Sequence, residues 1–359
     1  MSAATNFHAL RLQQVRREAT DALVLRFELP QALQEVFSFV PGQHLTLRAV
    51  VPGHELRRSY SICAAPGEAL QVGVRLVAGG AFTSWLHAEA QPGLVLDVMP
   101  PQGRFGAALA ARPRHVLAVA GGSGITPLLS IVKAALAGDA VKGAETRCTL
   151  IYGNRSAAST MFAEELDDLK NRYLSRLALH HVFSREEVDS PLHSGRVDAA
   201  KIVTLLRLAG PVDQAFVCGP HAMNDEVEAA LQAAGMPAHH IHVERFGVPP
   251  DSVERVPQAE HPADANTARV RIVRDGLARE VAYASGDTNI LAAAARAGME
   301  LPFSCTSGVC ATCRARVLEG QVRMDRNFAL EADELAAGQV LTCQAHPLSA
   351  RVVLSFDAR

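Results

Sequence analysis

No stretch of this 359-residue chain stays apolar for the roughly 18 residues that a membrane-spanning helix needs. The longest apolar run, from His115 to Ala120 and onward, is broken by glycines. The N-terminal stretch MSAATNFHALRLQQVRREATDALVL is polar and mixed in charge, without the apolar core of a signal peptide. Neither sign of charge forms a block, and the formal net charge is -2, so the electrostatic footprint of a nucleic-acid binder is missing. No repeat at a solenoid period is visible. The histidines are scattered and form no H-x-E-type metal site. These absences lead us to expect a cytoplasmic protein with neither nucleic acid nor membrane as partner.

What is present is enough apolar residue, 48%, to build globular cores, and a length that suggests two or three of them. Within the first ~105 residues, VLRFELP, HLTLRAV, YSICA, LQVGVRLV and VLDVMPP read as short strands between Pro/Gly turns. Their spacing predicts an antiparallel β-barrel or sandwich over residues 1–110. Beyond Arg112, apolar strands alternate with helical stretches, the pattern of a parallel-sheet α/β domain over 111–247. Thr126 is expected to cap the first of these helices, with Pro127 in its first turn and Gly138 at its end. Residues 248–266 are proline-rich, polar and aperiodic, and read as a linker that would leave the last domain mobile. Segment 267–359 opens on a predicted hairpin, RVRIVRDG with REVAYA. An alanine-rich helix follows over 288–297, with Asp287 as its expected cap and Gly298 at its end.

Four of the seven cysteines lie in this last segment. Cys305, Cys310, Cys313 and Cys343 stand as C-x4-C-x2-C, then C after 29 residues, the spacing of plant-type [2Fe–2S] ferredoxins. Two irons need four thiolates, and one tight loop can deliver three of them. The intervening TSGV is small enough to wrap a cluster and turn N–H groups towards sulfur, with Gly308 free to take positive φ. The competing readings are a zinc site, which usually shows paired C-x2-C knuckles, and four unrelated thiols.

Two other regions suggest nucleotide-type ligands. RRSYSIC places Arg58, Tyr60 and Ser61 on a strand. Arg58 suits a phosphate, Tyr60 an isoalloxazine face and Ser61 a ring nitrogen. Tyr60 reads equally well as a plain core aromatic. Gly79, Gly80, Phe82, Thr83 and Ser84 then form a Gly-rich turn at a helix start, a ready anion site; together the two motifs favour a flavin diphosphate. AGGSGITP, with Gly122, Gly124 and Thr126, is strand, glycine turn and helix, although proline replaces the last glycine of the full dinucleotide fingerprint. VCGP, with Cys218, Gly219 and Pro220, ends a second strand and could form the other lip of one crevice. Cys218 either faces the nicotinamide or is a small buried hydrophobe. Arg155 and Ser156 stand in sequence with no acid beside them, which favours the 2′-phosphate of NADPH over the ribose of NADH; a solvated surface Arg155 is the alternative.

Taken in this order, these motifs resemble the ferredoxin–NADP reductase family fused to a plant-type ferredoxin domain, across essentially the whole chain. The resemblance implies three folds: an FAD-binding antiparallel β-barrel, an NAD(P)-binding α/β domain and an α+β β-grasp ferredoxin domain. It implies FAD contacts at Arg58, Tyr60, Ser61 and the Gly80–Ser84 turn. NADPH contacts follow at Gly122, Gly124, Thr126, Cys218, Gly219 and Pro220. Phe246 falls near the flavin ring and Glu244 near the hydride path. Ser59, inside the flavin motif, is a small departure. The strings PGQHLTL, ELRRSYSIC, LIYGNR, FVCGP, ERFG, GVCATC and ADELAAGQVLTCQAHPL are similar to family members that serve oxygenases, which implies a multi-subunit di-iron oxygenase as electron acceptor. The division of labour follows from electron counting. NAD(P)H gives two electrons as hydride, a flavin can take the pair and release electrons singly, and a [2Fe–2S] cluster carries one. The rival readings are a reductase for a Rieske-type hydroxylase, a flavin and iron–sulfur redox sensor without turnover, and a zinc-bearing interaction module.

Overall fold

The computed structural model describes residues 6–137, 145–249, 265 and 267–358. The chain divides into two compact units, one over Phe7–Phe246 and the other from Gly247 onward. The expected linker lies almost wholly outside the described residues, as does Gly138.

The N-terminal unit starts with six antiparallel strands: β1 (His8–Glu18), β2 (Ala22–Glu28), β3 (His44–Val51), β4 (His54–Ser61), β5 (Gln71–Arg75) and β6 (Val95–Gln102). Their order is β4-β3-β6-β1-β2-β5, and a bridge between Ile62 and Val72 brings the two edges together. The sheet therefore curls closed, which removes its free edges. Period-two alternation drives this. Leu10 and Leu12, Leu23 and Leu25, Leu45 and Leu47, and Val72 and Val74 all point into one core. Strand β1 falls in the stretch that reads as merely polar, because its outward positions are mostly charged or amide residues. Helix α1 (Ala81–Glu89) seals one end of the core with Phe82 and Leu86.

Five parallel strands complete this unit: β7 (His115–Gly121), β8 (Arg147–Asn154), β9 (Leu177–Phe183), β10 (Gln214–Gly219) and β11 (Ile241–Arg245). Four helices connect them: α2 (Ile125–Ala137), α3 (Ala163–Arg172), α4 (Ala199–Ala209) and α5 (His221–Ala233). The order β11-β10-β7-β8-β9 means that the chain moves outward from β7 in one direction and then returns to its other side at β10. That reversal opens a crevice beyond the C-terminal ends of β7 and β10, where open α/β sheets bind ligands.

The C-terminal unit pairs β12 (Thr267–Arg274) with β13 (Leu277–Ala284) through an Asp275-Gly276 turn, both residues at positive φ. Then come α6 (Ile290–Arg296), β14 (Arg314–Glu319), β15 (Val322–Met324), α7 (Ala332–Ala336), β16 (Gln339–Leu341), β17 (Ala345–Pro347) and β18 (Arg351–Ser355). The main sheet runs β13-β12-β18-β14-β16, with β18 parallel to β12, the α+β arrangement expected. Three local expectations change. Asn289, not Asp287, caps α6 by accepting from the Ala292 N–H at 2.8 Å; Asp287 instead accepts from Ala284 N and pairs with Arg296. Helix α2 begins at Ile125, one residue before the expected cap, because a 3-10 turn over Gly122–Gly124 feeds directly into it. Thr126 therefore lies inside the first turn and donates back to Ser123 O at 3.0 Å.

Candidate functional site

In the C-terminal unit, Cys305, Cys310 and Cys313 sit on one loop, and Cys343 lies in a turn two residues past the end of β16. The loop folds around its first sulfur. Cys305 Sγ accepts from the backbone N–H groups of Ser307, Val309 and Cys310, each at 3.4 Å. Positive φ at Thr306, Gly308 and Ala311 makes this wrapping possible. A Cβ at Gly308 would also stand 3.2 Å from Arg326 O. The thiols face each other in two pairs. Cys310 donates towards Cys305, which with the loop N–H groups holds Cys305 down at about 5; Cys313 donates towards Cys343 and lowers it in the same way. Cys310 and Cys313, as the donors, are pushed up. Among the described residues, no three potential ligands converge on a single ion. Two pairs of thiols would suit a two-iron centre, and N–H groups aimed at sulfur suit its negative charge. The residues therefore fit a [2Fe–2S] cluster better than one zinc ion.

In the N-terminal unit, the register brings separate motifs together. Cys218 on β10 pairs with Glu244 on β11, and Gly219 with Arg245. Ser61, at the end of β4, donates its hydroxyl to Glu244 Oε2 at 3.4 Å. Burial pushes the Glu244 carboxyl up to about 8, opposed only by the Ser61 hydrogen bond. Burial, reinforced by the Glu244 carboxyl, pushes the Cys218 thiol up as well. Asn224, on the first turn of α5, fixes the strand end by donating to Glu244 O at 3.1 Å. A hydroxyl, a protonated carboxyl and a neutral thiol thus share one corner, with Glu244 half-buried. Phe246 follows within two residues, its ring 45% exposed.

The glycine loops meet backbone to backbone. A Cβ at Gly124 would lie 1.9 Å from Cys218 O, and one at Gly121 would lie 2.6 Å from the Pro220 ring. Only glycine allows the two lips to close to this distance. Thr126 is buried in the first turn of α2, with its hydroxyl given to Ser123 O. Gly122 takes φ +54, and a Cβ there would meet Arg75 Nη1 at 2.9 Å.

On the barrel side, Arg58 is exposed, its Nη1 donating to Arg57 O at 2.7 Å. The Tyr60 ring lies 6.1 Å from that of Phe82, which lies 5.8 Å from that of Trp85. Burial raises the Tyr60 hydroxyl far above its usual range, with Arg58 opposing. Phe82 is 1% exposed, its side chain in the barrel core. Gly79 has φ +72, and α1 starts at Ala81, so the Gly-rich turn is shorter than expected and Thr83 and Ser84 lie in the helix's first turn. The Thr83 hydroxyl bridges the turn, accepting from Val77 N at 3.2 Å and donating to Gly80 O at 3.1 Å.

Arg155 departs from its expected setting. No acid lies beside it in sequence, yet its Nη2 pairs with Asp21 Oδ2 at 2.8 Å. The neighbouring Ala157 N–H donates to Glu186 at 2.7 Å. Asp21 comes from the β1–β2 turn, 134 positions away. Its other oxygen lies 3.1 Å from Nε of Arg75. Arg75 is the main site residue that sequence reasoning misses; its only signal is a single charge ending the apolar strand VGVR.

Comparison with known proteins gives the same three parts in the same order. A family model described as an oxidoreductase FAD-binding domain matches residues 9–106. One described as an oxidoreductase NAD-binding domain matches 118–229. A 2Fe-2S iron-sulfur cluster binding domain matches 272–348. The chain is 46% identical over 364 residues to one of the subunits of the 1,2-phenylacetyl-CoA epoxidase of Escherichia coli (strain K12), covering 99% of each chain. It is 32% identical over 359 residues to the ferredoxin reductase component of the 3-ketosteroid-9-alpha-monooxygenase of Rhodococcus rhodochrous, covering 97% of this chain and 96% of that one. Among solved structures, phthalate dioxygenase reductase shares the fold at a TM-score of 0.58 with 24% identity, covering 98% of both chains. A type IV self-sufficient cytochrome P450 monooxygenase shares it at a TM-score of 0.69 with 22% identity; there the match covers 97% of this chain but 41% of that one. Among the described residues no helix is long and apolar enough to cross a membrane. The chain is thus an oxidoreductase with FAD-binding, NAD-binding and 2Fe-2S domains, and it belongs to the ferredoxin–NADP reductase family in the branch that carries a fused plant-type ferredoxin domain.

Proposed function

We propose that this chain takes hydride from NADPH and delivers single electrons, by way of FAD and a [2Fe–2S] cluster, to a multi-subunit di-iron oxygenase in the cytoplasm. The proposed oxygenase is ring 1,2-phenylacetyl-CoA epoxidase of phenylacetate catabolism. The observation that carries this reading is identity of 46% over the whole length to a component of such an epoxidase, with a site in each unit suited to its cofactor.

When bound, the flavin supplies the conversion between a two-electron donor and a one-electron acceptor. The chain's own residues hold and screen it. Arg58 and the Gly79–Ser84 segment are proposed for the diphosphate, Tyr60 and Phe246 for the faces of the ring, and Ser61 for its polar edge. Gly122, Gly124, Thr126, Gly219 and Pro220 are proposed to hold the dinucleotide, with Arg75 above its phosphates. Glu244, neutral below about pH 8, accepts from the Ser61 hydroxyl and puts no negative charge beside an incoming hydride. Cys218, also neutral, fills the corner behind it. Cys305, Cys310, Cys313 and Cys343 are proposed as the cluster ligands. The choice of NADPH over NADH rests on Arg155. Its side chain is 51% exposed and can turn to a 2′-phosphate while Asp21 stays paired with Arg75.

A second reading, the reductase of another ring-hydroxylating oxygenase such as a Rieske-type enzyme, draws on the 32% identity to a ketosteroid monooxygenase component. Anaerobic titration of the purified chain with NADPH and then NADH, followed by visible absorption, tests the core of the proposal. Bleaching of both flavin and cluster bands at low NADPH is expected. Bands that neither nucleotide bleaches would instead support a redox sensor without turnover. NADPH-driven turnover with purified phenylacetyl-CoA epoxidase components, against Rieske components, decides between the two acceptors.

A further inference from the structure

Cys305 takes its N–H donors from the backbone of its own loop, but a side chain reaches the sulfur of Cys343. Gln344, next in sequence and 7% exposed, turns its amide back over that sulfur. Its Nε2 lies 3.5 Å from Cys343 Sγ, 2.8 Å from Cys343 O and 2.9 Å from Thr306 O. An amide nitrogen carries two hydrogens. One goes to Thr306 O, and the other is shared between the carbonyl and the sulfur of Cys343. The amide thus ties the turn of Cys343 to the loop of Cys305, Cys310 and Cys313, at a residue held at φ +53.

This side chain has little freedom. Gln344 N donates to Leu341 O at 2.8 Å, and Gln344 O accepts from Asp325 N at 2.9 Å. A Cβ at Gly308 would stand 3.2 Å from Gln344 Cγ, so the glycine leaves room for the glutamine as well as for the turn. A buried donor fixed in this way needs no further ordering when charge builds on the sulfur it faces.

We propose that Gln344 tunes the cluster: its side-chain N–H, aimed at Cys343 Sγ, makes the centre easier to reduce. The inference rests on the reading of Cys343 as a cluster ligand. Reduction adds a negative charge to a centre already bound by thiolates. An N–H dipole on a ligand sulfur therefore stabilises the reduced form more than the oxidised one. Gln344 raises the reduction potential by this difference and favours the passage of an electron from flavin to cluster.

The test uses the full chain with both cofactors and a mediated redox titration in which EPR counts the reduced cluster. Gln344→Met keeps the length of the side chain and removes both N–H groups. At fixed potential its ratio of reduced to oxidised cluster should fall about threefold, or about 30 mV at about 59 mV per tenfold for one electron. Gln344→Glu puts a carboxylate in place of the donor and should lower the ratio further. A side chain that only clamps the loop would leave the potential of Gln344→Met unchanged while the cluster is lost faster to a chelator. That result overturns the inference and leaves the ligand set intact, as does a fall with Gln344→Glu alone. Where the Gln344→Met variant holds no cluster, the wild type decides. With heavy nitrogen in the glutamine side-chain amides alone, pulsed EPR of the reduced chain should show that nitrogen coupled to the cluster spin, and its absence overturns the inference. A Cys343→Ala variant with an unaltered cluster spectrum would remove Cys343 from the ligand set, and the inference and that reading would fall together.

Discussion

Cys305 takes three hydrogen bonds from N–H groups no more than five residues away, whereas the hydrogen-bond partner of the Glu244 carboxyl is Ser61, 183 residues away. The two sites are built on different scales. In the C-terminal unit one loop carries three of the four proposed ligands, its own donors and the positive-φ residues that bend it. In the N-terminal unit the reactive corner exists only when a closed barrel places β4 beside β10 and β11. Their chemistry differs accordingly. The cluster loop gathers N–H dipoles that stabilise negative sulfur, while the strand-end corner desolvates an acid and a thiol enough to keep both neutral.

Cys310→Ser should break the contrast most severely. It removes one member of a thiol pair, so the cluster band should vanish while the flavin band stays. Electron delivery to a one-electron acceptor such as cytochrome c should fall by more than the roughly 10–100-fold that changes around a metal ligand cause. Flavin reduction by NADPH, followed by stopped flow, should be little changed. A variant that keeps the cluster spectrum would remove Cys310 from the ligand set.

Glu244→Gln examines the other side. The carboxyl rises from 4.5 to about 8 on folding. Between those values the folded chain keeps a proton that the unfolded chain releases. Native stability should therefore fall as pH rises from about 4 to about 8 and level off above. Glutamine removes that slope, so the loss of stability between about pH 5 and pH 8 should shrink by about 1–3 kcal/mol, after allowance for water entering a site that opens to its ligands. Urea unfolding of wild type and variant at the two pH values measures this; equal losses in both would show that Glu244 does not titrate as its burial implies. The cluster spectrum should not respond.

Asn289→Ala is the smallest of the three. Loss of the cap on α6 should lower the stability of the C-terminal unit by about 1 kcal/mol, seen as a lower midpoint for loss of the cluster band on heating. The flavin-band transition should stay in place. A shift of both together would mean that the two units unfold as one.

Legibility follows the same divide. Period-two and strand–helix alternation suffice to foresee an antiparallel barrel and a parallel sheet, and C-x4-C-x2-C…C suffices to foresee a cluster, because each pattern is written in neighbouring residues. Strand β1 escapes such a reading because charged outward positions hide Leu10 and Leu12. Asp287 and Asn289 stand two positions apart, and only backbone geometry shows which side chain reaches Ala292 N. The Gly-rich turn before Phe82 reads as running on to Ser84, but the helix starts at Ala81 and turns the Phe82 ring into the core.

The sequence by itself determined the order of three domain types, the spacing of the cluster cysteines and the glycines that let two loops close on each other. Those features depend on steric and bonding limits that act within a few residues. Tertiary structure alone decided that Arg155 meets Asp21, that Arg75 stands over Gly122, and that Glu244 lies half-buried against Ser61 and beside Cys218. Charge pairing and desolvation act through space, and the residues that impose them here lie on strands and turns that meet only when the barrel closes and the parallel sheet reverses at β7.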